Sequence, residues 1–232
     1  SEFRIRDAAG SAAPAAIFSF RIGNPTAQAA EAAILFNLPN HPQGTFTYVD
    51  GLRLARAGAG PMTGAMVARF GGADRNASWA VGDDLNALWK EFAEKGAFAA
   101  PAQTNAKQGA TAASVTLRPG ETKTVHMVMT WYFPNRAHAG NSQHAGNYYT
   151  KLYAGADDVA DKVLARLPAT WQAIGDWQQL CFDNALPDWL QDAMVNSVAT
   201  MAKTGMWLED GRWRQWESFS CPVVDPVHIH FY

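Results

Sequence analysis

Cysteine is nearly absent: Cys181 and Cys221 are the only two in 232 residues. Two thiols cannot build a disulfide framework, and they lie too far apart in sequence for a zinc knuckle, so they leave the compartment undecided. Charge is also sparse. Charged residues make up 17% of the chain, with 19 Lys and Arg against 21 Asp and Glu and no basic run. That balance argues against a nucleic-acid surface or a polybasic membrane patch. Long apolar runs are missing as well. The longest, such as residues 29–38 and 125–133, fall far short of the roughly 20 residues a membrane helix needs, so a soluble protein is expected. No Gly-rich phosphate loop follows a strand and no Gly-x-Ser-x-Gly elbow occurs. Nucleotide chemistry and serine hydrolysis are therefore not expected, nor is a cofactor.

What the chain does have is aromatic surface and apolar bulk. Hydrophobic residues reach 48%, enough for a packed core. Nine Trp, twelve Phe and six Tyr suit both cores and sugar-binding clefts. The first half is strand-like. Residues 15–22 form one strand, the Gly23-Asn24-Pro25-Thr26 turn ends it, and residues 29–38 are expected to pair back on the first. Asp50-Gly51 has the chemistry of a two-residue hairpin, and residues 62–70 read as a further strand. Ser114–Arg118, the turn Pro119-Gly120-Glu121 and residues 124–131 are expected to form a long hairpin. Asp83-Asp84 should cap a short inserted helix carrying Leu85, Leu88, Trp89 and Phe92 at helical spacing. These elements predict an antiparallel β-sandwich.

After Pro134 the pattern changes. Residues 135–147 read as a loop holding His138 and His144, and helical periodicity then begins at the cap Asp157-Asp158. Pro168 should kink or break that helix, and Pro187-Asp188 starts another that ends near Gly205. The expected division is a sandwich over 1–155, a helical linker over 156–185 and a second, helical domain from 186. The final segment concentrates the candidate chemistry. Glu217 follows Trp213 and Trp216, whose rings can desolvate a carboxylate and tune it for nucleophilic or acid/base work on a glycosidic bond. The same carboxylate could equally be a surface ion-pair partner of Arg212 or Arg214. Trp216, Asp225 and His228 are the candidate substrate-binding residues, and Asp225 is the nearest local candidate for a second carboxylate. His228 and His230 would share a face on a strand, but with Cys221 and Asp225 they match no familiar zinc spacing, so no metal is expected.

Several stretches, taken in order, resemble glycoside hydrolase family 116, the bile-acid β-glucosidase or non-lysosomal glucosylceramidase family. They are Leu117-Arg118-Pro119-Gly120-Glu121, residues 125–131 with Tyr132-Phe133-Pro134-Asn135, and Gly146-Asn147-Tyr148-Tyr149. Leu186-Pro187-Asp188-Trp189, Asn196 and Trp207-Leu208-Glu209 complete the series. The resemblance implies an N-terminal β-sandwich followed by the first helices of an (α/α)6 barrel, and a retaining hydrolase acting on β-glucosides such as glucosylceramide. It implies that Glu217 is the nucleophile, with the acid/base an Asp beyond residue 232. It further implies that the sandwich is incomplete at its N-terminus, that the helical domain is truncated, and that this chain alone lacks substantial activity. Where the family carries an acidic sugar contact eleven positions after the nucleophile, this sequence has His228. That substitution leaves a different sugar preference open, beside a non-catalytic carbohydrate-binding or assembly module. Neither the oligomeric state nor the compartment is decided by the sequence.

Overall fold

The computed structural model describes residues 7–41, 43–99, 101, 104–137, 144–217 and 224–225, without the side chains of 75–77 and 198–202. Its elements fall into two compact units. The first comprises residues 14–133 with 155–164, and the second comprises 1–13, 134–154 and 165–232.

The unit built on residues 14–133 is an antiparallel β-sandwich. Among the described residues eight strands take part: β1 (Ala15–Gly23), β2 (Ala30–Pro39), β3 (Thr45–Tyr48), β4 (Leu52–Arg56), β5 (Gly64–Gly71), β6 (Arg75–Gly82), β7 (Gln108–Leu117) and β8 (Thr122–Tyr132). One sheet runs β1-β8-β5-β4-β3 and the other β2-β7-β6. Between them lies a core of Leu38, Phe46, Leu52, Leu54, Phe70, Val115, Leu117, Val125 and Met127. These residues come from both sheets, and their alternation along β4, β7 and β8 is the period-2 pattern of strands with an inward face.

Two pairings differ from the sequence expectation. β2 does not pair with β1, and β7 does not form a hairpin with β8; instead β1 pairs with β8 and β2 with β7. The turns at residues 24–29 and 118–121 are crossovers from one sheet to the other. Asn24 explains why. Its side chain is buried and its amide nitrogen donates to the carbonyls of Gln28, Leu117 and Arg118 at 2.7, 3.2 and 3.1 Å. Its backbone N–H donates to Glu121 O, and Gly120 N–H donates to Asn24 O. The two crossovers are thus tied to each other, and Leu117 and Val125 face one another across the core rather than side by side in one sheet. Asn24→Asp would set a carboxylate against three carbonyl oxygens. The expected loss is about 2–3 kcal/mol in urea unfolding, since buried acceptors left without a donor keep their full desolvation cost; an unchanged midpoint would contradict this.

Helices cover both outer faces of the sandwich. α2 (Leu85–Lys95), after the four-residue helix α1 (Ala8–Ser11), starts where the Asp84 side chain accepts from Asn86 N–H. It buries Leu88 and Phe92 against Ala80, Ala110 and Ala112, while Leu85 and Trp89 stay exposed. On the other face, the first turns of α4 (Ala156–Phe182) set Ala156 and Ala160 against Ala65 and Val67 of β5. Arg69, buried on β5, pairs there with Asp157 and Asp161, and Arg53 donates to Asp157 at 2.6 Å. The β3–β4 connection holds three residues rather than two, because Tyr48 pairs with Leu52 and Asp50 takes the left-handed conformation.

The second unit contains α3 (Tyr149–Leu152), the remainder of α4, α5 (Asp188–Thr204), β9 (Gly205–Trp207) and β10 (Trp213–Gln215). Pro168, where a kink or break is expected, lies inside α4, which continues to Phe182. The proline ring deletes the bond to the carbonyl one turn earlier, that of Leu164, and the division between the units falls at that residue. Among the described residues no helix is long and apolar enough to cross a membrane.

Candidate active site

Glu217 is positioned by the β9–β10 hairpin, which α5 feeds directly. The hairpin turn is local chemistry: Gly211 has φ +90°, Asp210 accepts from Arg212 N–H at 2.9 Å, and Leu208 N–H donates to Arg212 O. Trp207 then pairs with Trp213 and Gly205 with Gln215. On its outer side β10 continues into a third segment. Trp216 bridges Val224, Asp225 N–H donates to Gln215 O at 2.9 Å, and Gln215 N–H donates to Asp225 Oδ1 at 3.0 Å. The Arg214 guanidinium pairs with Asp225 Oδ2. Glu217 is the next residue after Trp216 and is exposed among the described residues.

The loop before α3 docks on this hairpin. Tyr148 stacks on Trp207 with ring centroids 3.8 Å apart and 9° between planes, and Tyr148 N–H donates to Trp207 O. Arg136 lays its guanidinium 5.5 Å from the centre of the Trp216 ring, a cation–π contact, and donates to Asn147 Oδ1. Glu209 closes the arrangement, accepting from Lys151 Nζ at 2.8 Å and contacting His144 Nε2 at 2.9 Å. Gly146 has φ +60°, and a Cβ there would overlap the Glu209 side chain, so the site requires glycine.

Of the candidate residues, Trp216, Glu217 and Asp225 therefore lie together at the end of β10. His228 lies outside the described residues, as do Cys221, His230 and His138. His144, a loop residue whose side chain is mostly exposed, contacts Glu209. Arg136, Lys151 and Glu209 carry no spacing signal that would single them out, because their partners are distant in the chain. A hint is that Gly146–Tyr149 and Trp207–Glu209, two of the stretches that carry the family resemblance, meet.

Two hydrogen-bond partners set the ionisation of Glu209. The hydrogen bond from Lys151, then that from His144, hold its carboxyl below its ordinary value of 4.5, and the Glu209 hydrogen bond raises Lys151 above 10.5. The stabilisation linked to Glu209 is complete above its ordinary value and fades as pH falls through the lowered folded value. That linked to Lys151 is complete below its ordinary value and fades as pH rises through the raised one. A carbon-detected NMR titration should place the Glu209 midpoint below 4.5 and move it upward in Lys151→Met. An unmoved midpoint would contradict the pairing.

Comparison with known families decides the class. Residues 1–171 of the 232 match the family described as beta-glucosidase 2, glycosyl-hydrolase family 116 N-term. The chain belongs to glycosyl-hydrolase family 116. No curated protein matches it. The matched stretch of this family 116 chain covers the sandwich, the loop carrying Arg136 and Tyr148, and α4 as far as Trp171; the β9–β10 hairpin follows it. Membership makes the chain part of a glycoside hydrolase family whose substrates are glycosides.

Proposed function

We propose that this chain belongs to a retaining β-glucosidase, glucosylceramidase-like in its substrate class, in which Glu217 is the nucleophile. The observation that carries the reading is the family match over residues 1–171. It is supported by the docking of Tyr148 and Arg136 on the strand pair that leads into Glu217. Glu217 attacks the anomeric carbon from one face of the sugar, and an Asp outside residues 1–232 protonates the departing oxygen. Water then releases the sugar with overall retention, a route that needs the two carboxyl groups about 5 Å apart. Trp216 offers an aromatic wall and His228 a hydrogen-bonding group for sugar hydroxyls.

In the same reading α4 is the helical linker and α5 the first helix of an (α/α)6 barrel. Supporting it, Trp171, Leu180, Phe182, Trp189 and Met194 are all exposed, more apolar surface than two surface helices ordinarily leave in water. His228, at a position where the family resemblance implies an acid, favours a second reading: the same mechanism on another sugar. A panel of aryl β-glycosides assayed on the intact enzyme, with product stereochemistry followed by NMR, separates these. Preferred hydrolysis of the glucoside with retention is the expected result. Preference for another glycoside supports the second reading, and binding without hydrolysis would overturn both in favour of a carbohydrate-binding module.

A further inference from the structure

We propose that Asp225 is a positioning residue for Glu217, an inference that rests on the nucleophile reading above. Three bonds join it to the two residues at the end of β10: its N–H to Gln215 O, its Oδ1 to Gln215 N–H, and its Oδ2 to Arg214 Nη1. Its side chain is 12% exposed, and both carboxylate oxygens are engaged by this chain. Charge-assisted bonds of this kind are shorter and about twice as strong as neutral ones, so they hold direction as well as position.

The backbone supports the same role. Asp225 sits at φ +55°, a conformation that L residues adopt at a cost and Asp tolerates better than most. That turn brings the carboxylate back onto the strand that its own N–H is bonding. On the opposite edge of β10, Gln215 Nε2 donates to Thr204 Oγ1 at 3.1 Å and Trp216 N–H donates to Thr204 O at 3.0 Å. Gln215 and Trp216 are therefore fixed from both sides, by the end of α5 and by the segment Val224–Asp225. Glu217 is the first residue beyond that double anchor. Its direction of exit from the strand depends on Asp225. A nucleophile displaced by about 1 Å can lose on the order of 10²-fold in rate, which makes such an anchor worth having. The roles of Asp225 as sugar contact and as second catalytic carboxylate give way to this one.

The test compares Asp225→Ala and Asp225→Asn with the parent and with Glu217→Gln, all in the intact enzyme. The probes are aryl β-glucoside and its monodeoxy analogues. Asp225→Ala should lower kcat/KM about 10- to 100-fold, chiefly through kcat, by the same factor on every deoxy analogue. Asp225→Asn keeps an acceptor for Gln215 N–H and should recover most of that loss. If Asp225→Ala fails to fold, the uniformity across analogues is read on Asp225→Asn, whose smaller loss must still be independent of the hydroxyl removed. A loss that vanishes on one deoxy analogue would make Asp225 a sugar contact and overturn the proposal. An inactive Glu217→Gln beside an unimpaired Asp225→Ala would overturn it alone, whereas turnover retained by Glu217→Gln overturns the nucleophile reading and this inference with it.

Discussion

Phe46→Ala is expected to cost the sandwich about 3–5 kcal/mol, the range for removing a buried aromatic ring. Phe46 is fully buried, although its strand β3 is the edge of the five-stranded sheet. Its ring reaches across the core to β7 of the other sheet, where a Cβ on Gly109 would overlap it. The glycine and the ring are thus one packing unit: the missing side chain on β7 is the space the ring occupies. Gly109→Ala should accordingly destabilise by about 1–3 kcal/mol through overpacking, because a fully buried ring cannot swing aside. The pair should be non-additive. In a Phe46→Leu background the added methyl group has room, and a double-mutant cycle in urea should show favourable coupling of about 1 kcal/mol or more. Additive losses would mean that the sheets shift to absorb the methyl group and that the contact does not set their spacing.

Glu217→Gln is expected to remove turnover while leaving the fold intact. Loss of a nucleophile lowers kcat on the order of 10⁴- to 10⁶-fold, by analogy with hydrolases whose catalytic groups act as a unit. At about 1.4 kcal/mol per tenfold, that is roughly 5–8 kcal/mol of transition-state stabilisation. The amide is nearly isosteric but cannot attack the anomeric carbon. Glu217 is exposed among the described residues, so the substitution should change stability by no more than about 0.5 kcal/mol. A retained midpoint in thermal unfolding together with lost turnover separates a chemical role from a structural one. Turnover within tenfold of the parent would contradict the assignment.

How much of this was legible in the sequence follows from which interactions are local. Apolar alternation and turn residues suffice to place β1, β2, β5 and β8, and the Asp84 cap suffices to place α2. Strand partners are another matter. Asn24-Pro25 and Pro119-Gly120 look like hairpin turns by composition, yet both are crossovers, because the Asn24 amide bonds carbonyls some ninety residues away. β6 and the first half of β7 escape notice for a different reason. Ala110, Ala112 and Ala113 are buried, but alanine has little strand propensity, and β7 is packed on both faces, against the core and against α2. Small residues are what that double packing requires, and they erase the alternation that would reveal it.

The candidate site divides along the same line. Trp216, Glu217 and Asp225 stand close in sequence, and their proximity at the end of β10 needs little folding to arrange. Arg136, Lys151 and Glu209 belong to the site only because the loop before α3 folds back onto the β9–β10 hairpin. Gly146 marks the point of contact, since only glycine leaves space there for the Glu209 side chain. The role of Asp225 was visible only as an acidic residue near a candidate nucleophile. Its direction, toward Arg214 and Gln215, is a property of the folded chain.

The most direct test of the central claim is covalent trapping of the intact enzyme with a mechanism-based β-glucoside inactivator, followed by peptide mapping by mass spectrometry. A single glycosyl adduct on Glu217 is the predicted result. An adduct on another carboxylate would contradict the assignment of the nucleophile, and inactivation without any adduct would contradict the retaining mechanism itself.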